Sequence, residues 1–167
     1  SPEERKILEE RYKNFIRNGA LLEGSAKERY SAINQEISKL SVKFSQNLLA
    51  ETNNFEIILI KDDLDGLPDD IVVLAKEEAD KKYKETKDKI YKGKYIFTPH
   101  RSSMYPFLTY SKRRDLREKL YKGYINRGNN NNEFDNKEIT AKISSLRVER
   151  ANLLNFESIS QISPKKN

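Results

Sequence analysis

The feature that most constrains the fold is a long amphipathic segment beginning near Ser25. Its apolar side chains recur every three or four residues, at Tyr30, Ile33, Ile37, Leu40, Phe44 and Leu48. This spacing places them on one face of an α-helix. Ser25 and Glu28 match a capping box, so the helix should begin there and reach Ala50 or slightly beyond. The seven-residue rhythm favours packing against other long helices over a free-standing coiled coil, for which the span is short.

Helical periodicity also predicts further helices along the chain. They should cover residues 1 to about 18, 69 or 70 to about 85, 111 to about 128, and 135 to about 154. Residues 102–110 could form another short helix, interrupted near Pro106 because proline lacks a backbone donor. Asp135 should cap the last helix.

The first helix has the clearest start and stop signals. Ser1, Pro2 and Glu4 supply a capping hydroxyl, a proline at the first helical position and a capping-box glutamate. Gly19 is placed to end the helix in a left-handed conformation. We expect its apolar anchors to be Ile7, Leu8, Tyr12, Phe15 and Ile16.

Two short segments have the composition of β-strands. Residues 55–60 (FEIILI) and 93–98 (GKYIFT) are rich in β-branched and aromatic residues, and turn residues follow the first. They could pair across the intervening helix. The predicted fold is therefore mainly α, a long-helix bundle with a small two-strand β element.

The length of 167 residues suits one domain with a real core, and is short for two. Charged residues make up 35% of the chain, above the usual quarter, which suits long solvated helices. We predict a single helical domain over residues 1–160 and a frayed tail over residues 161–167.

The charge pattern bears on possible partners. The net charge is +6, which could attract nucleic acid, but lysine and arginine alternate with glutamate and aspartate, as on exposed helix faces. We expect no nucleic-acid partner. The longest apolar runs, residues 57–60 and 71–75, are far too short to cross a bilayer, so no membrane partner is expected either. The absence of cysteine fits a reducing compartment.

The residues that commonly perform catalysis or bind metals are sparse. Zinc peptidases of the H-E-x-x-H type need two histidines four residues apart, and this sequence has only His100. That residue is expected to be an ordinary loop histidine. Asp62, Asp63, Asp65 and Gly66 resemble an acidic calcium loop, but Lys61 and Val72 would occupy its first and last ligand positions. We therefore predict no catalytic, cofactor-binding or metal-binding residue in the chain.

Two other segments allow a binding role. Lys94, Tyr95, Ile96 and Phe97 could form a surface that stacks on single-stranded nucleic acid, although core packing is the simpler interpretation. The four asparagines at 129–132 could bind a ligand through their amides, although a solvated loop is simpler.

Several strings of the sequence, in order, resemble one known family. They are Tyr12–Ala20, Ile33–Ser41 continuing to Asn47, Gly66-Leu67-Pro68, the Arg113–Arg127 region with Gly128-Asn129, and Ile143–Leu154 within the stretch Asn126–Phe156. Together they resemble the amino-terminal half of the zinc metallopeptidases of the thimet oligopeptidase and peptidyl-dipeptidase family, especially the bacterial peptidyl-dipeptidases. Asn155 departs from the pattern, because the family usually has glycine there, and the sequence after Ser158 lacks the family's tyrosine-rich continuation.

The resemblance implies a fragment of a larger, mostly helical peptidase, with the catalytic zinc domain absent. The family's amino-terminal portion forms one wall of a deep channel that admits short, unstructured peptides. The expected partners are thus the catalytic domain of the parent and, in the parent, short peptides. The chain itself should hold no cofactor and be inactive alone, while the parent would use zinc.

The favoured function is therefore that of a non-catalytic portion of a zinc-dependent oligopeptidase in the cytoplasm. A helical protein-interaction module without a peptidase role is the alternative, and a basic nucleic-acid binder is a weaker one. Because the chain opens on Ser1 rather than methionine, we expect a processed product or a piece of something larger.

Overall fold

The structure is a computed structural model that describes residues 1–156 and 160. In chain order its elements are α1 (Pro2–Arg17), α2 (Gly24–Asn54), β1 (Ile57–Leu59), α3 (Asp69–Thr86), β2 (Tyr95–Phe97), α4 (Arg101–Tyr110), α5 (Arg114–Ile125) and α6 (Lys137–Leu153). The prediction of a mainly α fold with a small two-strand element is confirmed. The predicted frayed tail, residues 161–167, lies outside the described residues.

The chain divides into two compact units. Unit 1 comprises Ser1–Phe44 and the chain from Lys137 onward, and unit 2 comprises Ser45–Asn136. Helix α2 contributes residues to both units. The single helical domain over residues 1–160 stays a prediction.

The core of unit 2 forms around the two strands. β1 pairs with β2 in antiparallel register, with Ile57 opposite Phe97 and Leu59 opposite Tyr95. The two strands are shorter than the predicted segments and are connected through α3, as the sequence indicated. The buried core cluster consists of Ile57, Leu59, Ala75, Phe97, Met104, Phe107 and Leu120. Its largest members, Phe97 and Phe107, are fully buried, with ring centroids 4.5 Å apart.

Helix α4 continues through Pro106, so the predicted interruption is wrong. Proline removes one helical hydrogen bond and crowds the preceding turn. The same helix buries Met104 and Phe107 in the core of unit 2. Because two large apolar side chains gain their burial only if the helix continues, tertiary packing outweighs the local cost of proline.

Gly123 in α5 lies directly against the ring of Phe55. A Cβ at position 123 would overlap three carbons of that ring, one of them at 2.6 Å. We expect Gly123→Ala to lower the free energy of unfolding by about 1–2 kcal/mol, because overpacking outweighs the gain of about 1 kcal/mol in helix propensity. Urea denaturation followed by circular dichroism measures this change.

The control is the same substitution in a Phe55→Ala background. With the ring removed, the Cβ at position 123 has room and only the helix propensity remains, so Gly123→Ala should become neutral or stabilising. An equal loss of stability in both backgrounds would contradict the assigned contact.

In unit 1, α1 begins as the sequence predicts. Ser1 is the N-cap: its side-chain oxygen accepts from the Glu4 amide at 3.2 Å, and the Ser1 amino group donates to the Glu4 carboxylate at 2.5 Å. Gly19 follows the helix with φ +83°, the predicted left-handed conformation. A Cβ at Gly19 would also lie 3.1 Å from the ring of Tyr30, so glycine allows α2 to pack closely against this turn.

The apolar residues expected to anchor α1 do not form a core. α1 has no buried residue among its 16, and Leu8, Tyr12 and Phe15 are 70%, 58% and 67% exposed. Ile16 alone among the expected anchors is half-buried, while Ile7 is exposed. The expectation of five core anchors was therefore wrong, because helical periodicity identifies an apolar face and cannot say what covers it.

α2 and α6 are joined in unit 1 by polar contacts around a small core. Arg29 donates to both oxygens of the Glu149 carboxylate at 2.5 and 2.7 Å, and Arg150 donates to the Asn34 side chain at 3.0 Å. Ile33, Leu146 and Ala151 supply buried apolar side chains from the two helices. Val148 of α6, by contrast, is exposed.

The starts of two helices differ from the predictions. α2 begins at Gly24, so Ser25 lies inside the helix, and α6 begins at Lys137 instead of being capped by Asp135. Asp135 instead accepts a hydrogen bond from the Asn131 amide at 2.8 Å. Asn155, after α6, adopts φ +60°, a conformation in which glycine is favoured and asparagine is tolerated.

Among the described residues, no helix is both long enough and apolar enough to span a bilayer.

Candidate functional site

His100 lies at the start of α4, where it is exposed to solvent. Its Nε2 atom is 3.2 Å from the side-chain oxygen of Asn53, the single side-chain contact found for it in the described part of the chain. Within residues 1–156 and 160, no three histidine, cysteine, aspartate or glutamate side chains lie close enough together to hold a metal ion. His100 therefore has the surroundings of an ordinary surface histidine.

The acidic turn at residues 62–66 makes structural contacts. Asp63 pairs with Arg113 and also accepts from the Ile60 amide at 3.2 Å. Asp65 pairs with Lys112 at 3.1 Å, and its backbone oxygen accepts from the Lys112 amide. These aspartates therefore fasten the turn to the segment between α4 and α5, as expected of a turn and not of a calcium loop.

The aromatic and basic segment at residues 94–97 faces inward. Ile96 and Phe97 are buried in unit 2, and Tyr95 is half-buried against the same core. Bases stack only on exposed aromatic faces. Phe97 therefore has no face available for stacking, and the segment serves the core.

The asparagine loop at residues 129–132 surrounds one buried carboxylate, that of Glu51 in α2. One Glu51 oxygen accepts from the side-chain amides of Asn130 and Asn132 at 2.9 and 2.7 Å. The other accepts from the backbone amide of Gly128. We call this cluster of four residues the Glu51 cluster; all its members belong to unit 2.

The geometry of the Glu51 cluster explains its ionisation. Burial alone would raise the pKa of Glu51, but the hydrogen bonds from Asn130, the Gly128 amide and Asn132 together outweigh burial and lower it below its ordinary value. Nearby Asp135 acts against this decrease. The donors that surround the carboxylate thus favour its ionised form.

A second buried polar pair, Asn47 and Asn136, lies close to the cluster in sequence. The Asn47 amide donates to the Asn136 side-chain oxygen at 2.9 Å, and the Asn136 backbone amide donates to the Gly128 oxygen at 2.7 Å. Asn47 and Glu51 are four residues apart and therefore lie on one face of α2. Asn47 and Glu51 were not identified from the sequence as buried polar residues. Their positions in line with the apolar face of α2 could have indicated it.

A shallow groove of about 450 Å³ borders the Glu51 cluster. Phe55 and Phe134 supply its aromatic surface, Lys119 its positive charge, and Asn54 and Asn126 its exposed amides. Apolar surface with a few polar groups is typical of ligand-binding clefts. The groove is therefore a candidate binding surface.

Comparison with known proteins finds similarity to oligopeptidases. No family model matches it. It is 33% identical over 159 residues to a probable cytosolic oligopeptidase A of Arabidopsis thaliana, and 32% identical over 165 residues to an oligopeptidase A of Haemophilus influenzae. It is 26% identical over 153 residues to a dipeptidyl carboxypeptidase of Escherichia coli.

The matches cover nearly all of this chain but only a small part of each relative. They cover 95%, 96% and 90% of this chain, but only 22%, 23% and 21% of the respective relatives. The chain thus spans about a fifth of the length of the curated relatives it matches. Over nearly its whole length, the chain is therefore homologous to one segment of the thimet oligopeptidase family of metallopeptidases.

Proposed function

We propose that this chain is a non-catalytic, amino-terminal helical portion of a zinc-dependent oligopeptidase or peptidyl-dipeptidase that hydrolyses short peptides. The single observation that carries the proposal is homology over nearly the whole chain to only about a fifth of each oligopeptidase. The remaining four-fifths would supply the catalytic domain, which is the proposed partner.

The residues of this chain do not fit a zinc site of that family. The sequence has one histidine, and the described part has no cluster of three or more possible metal ligands. A zinc site with protein ligands needs three or four of them around one ion. We therefore assign zinc to the parent and no catalytic, cofactor-binding or metal-binding residue to this chain.

The proposed role of the chain is to form part of a channel wall that admits short peptides and excludes folded proteins, with residues 1–160 acting as one domain. Its paired surface charges and long helices suit a structural role. The groove beside the Glu51 cluster supplies a surface on which a passing peptide could be held.

A cytoplasmic location is part of the proposal. The chain has no cysteine, which suits a reducing compartment. One of its relatives is named as cytosolic, and another, 33% identical, is named as chloroplastic or mitochondrial. The location therefore stays a prediction that imaging of the tagged parent protein can test.

A helical interaction module without a peptidase role is the second candidate. The exposed apolar face of α1 favours it, because such faces commonly mark protein contacts. Saturable binding of an unrelated protein, with no peptidase portion involved, would support this candidate over the first.

The chain alone provides the first test. After incubation with zinc and removal of excess metal, we expect no stoichiometric zinc and no cleavage of short peptides. Full-length oligopeptidase A of Escherichia coli, treated in the same way, is the positive control. Cleavage that copurifies with the chain, in proportion to its concentration, would contradict a non-catalytic role.

A further inference from the structure

Helix α1 carries an exposed apolar face in unit 1. Leu8, Tyr12 and Phe15 are each more than half exposed and are spaced by four and three residues. On a helix, this spacing places all three side chains on one face. We call these three residues the α1 stripe.

Local interactions support α1 without covering the stripe. The Ser1 capping box starts the helix, and Lys6–Glu10 and Lys13–Glu9 ion pairs lie along it at 3.1 and 2.5 Å. Isolated helices shorter than about 12–15 residues are marginal in water even when they are rich in alanine, and most helices in proteins rely on burying an apolar face. A 16-residue helix with no buried side chain therefore lacks the contact that would normally stabilise it.

The other end of α1 is fixed within unit 1. The Tyr30 hydroxyl donates to the Arg17 backbone oxygen at 3.4 Å, and Ile16 is half-buried. Beyond this attachment, the three side chains of the α1 stripe remain more than half exposed. Anchors at positions i, i+4 and i+7 are the pattern by which a helix lies in an apolar groove of a partner.

Two unpaired cations border the stripe. Arg5 precedes Leu8 by three residues, and Arg11 precedes Phe15 by four, so both are neighbours of the stripe on the helix surface. Neither forms an ion pair in the described part of the chain. A receiving groove would therefore be apolar at its base and carry carboxylates at its rim.

We propose that the α1 stripe is the surface on which the rest of the parent oligopeptidase docks, through an apolar groove with an acidic rim. This inference rests on the proposed function, which places four-fifths of the parent outside this chain. A second copy of the chain is the competing occupant, and the test below separates the two.

The test compares hydrogen exchange of α1 in two settings. One is the chain alone. The other is a joined protein, in which the chain replaces the homologous fifth of the Arabidopsis probable cytosolic oligopeptidase A. The amides of α1 should exchange on the order of 100-fold more slowly in the joined protein, because docking removes local opening.

The substitutions Leu8→Ala, Tyr12→Ala and Phe15→Ala, made together, should abolish this protection. Alanine has the highest helix propensity, so the helix itself is retained. Leu49→Ala, which removes a comparably exposed leucine of α2, is the matched control and should leave α1 protected.

Two outcomes would overturn the proposal. One is exchange of α1 that is equally fast in the joined protein and in the chain alone. The other is concentration-dependent protection in the chain alone, with a dimer in sedimentation that the triple substitution dissociates. Peptide hydrolysis by the joined protein reports separately on the proposed function. Hydrolysis without protection of α1 would support the proposed function and reject the docking surface. Protection of α1 without hydrolysis would support the docking surface and reject the proposed function.

Discussion

Replacing Phe97 by alanine should lower the free energy of unfolding of unit 2 by about 3–5 kcal/mol, the largest stability effect we expect in this chain. Phe97 is fully buried in β2, and its ring packs at 4.5 Å from that of Phe107. The substitution removes a large apolar side chain and leaves a cavity that the two-stranded sheet cannot close. Urea denaturation monitored by circular dichroism measures the change.

The control for this prediction is Tyr105→Ala. Tyr105 belongs to α4, as Phe107 does, but its side chain is 52% exposed, so its loss should cost less than about 1 kcal/mol. Equal costs for Phe97→Ala and Tyr105→Ala would mean that the core is not centred on the strands.

Glu51→Ala should be the second most damaging substitution, with a cost of about 3 kcal/mol. It leaves the Gly128 amide and the side-chain amides of Asn130 and Asn132 without their buried acceptor. Hydrogen bonds to a charged group are stronger than neutral ones. The buried Gly128 amide would carry the full cost of desolvation, whereas the exposed side chains of Asn130 and Asn132 can bond to water instead. Glu77→Ala, at an exposed position of α3, should change stability by less than about 0.5 kcal/mol.

The Glu51 cluster also predicts an acid dependence of stability. Because the pKa of Glu51 is lower in the folded chain than its ordinary value of 4.5, the ionised carboxylate stabilises the fold fully above that value. The contribution is lost as the pH falls from 4.5 through the lowered native pKa. Glu51→Gln cannot ionise, so its stability should fall less than that of the unaltered chain over this range. An identical acid dependence in both proteins would contradict the assigned ionisation.

The helices were the most predictable part of this molecule. Ser1, Pro2 and Glu4 form the predicted cap, and Gly19 adopts the predicted left-handed conformation, because both depend on residues adjacent in sequence. The strands were predictable from their β-branched and aromatic residues. Their pairing needed α3 to return the chain, and the antiparallel register is set by burial of Ile57 and Phe97.

The features that depend on distant residues were not predictable. Helix α4 continues through Pro106 because Met104 and Phe107, on either side of it, are buried. The local sequence does not show that these two side chains are buried. Glu51 meets its donors across nearly 80 positions of sequence, so the asparagine loop could be identified only as polar. The exposure of the α1 stripe was not predictable either. Helical periodicity indicates an apolar face, but it does not show whether other residues of the chain cover that face.

The packing of the chain agrees with the proposed function. The core of unit 2 and the buried polar groups around Glu51 are complete within the chain, whereas the apolar face of α1 is uncovered. The proposed function, in which the chain is one portion of a larger oligopeptidase, would account for that uncovered face. In the proposed function, this chain has a structural role and the catalytic domain lies in the rest of the parent protein.

The most direct test of that account is the rate of short-peptide hydrolysis by the joined protein, in which this chain replaces the homologous fifth of the Arabidopsis oligopeptidase. We expect kcat/KM within about tenfold of the unaltered relative, a loss of no more than about 1.4 kcal/mol of transition-state stabilisation. The same relative with that fifth deleted should hydrolyse nothing measurable. A joined protein that folds cooperatively, yet hydrolyses peptides no faster than the deletion, would contradict the assignment of this chain to a peptidase.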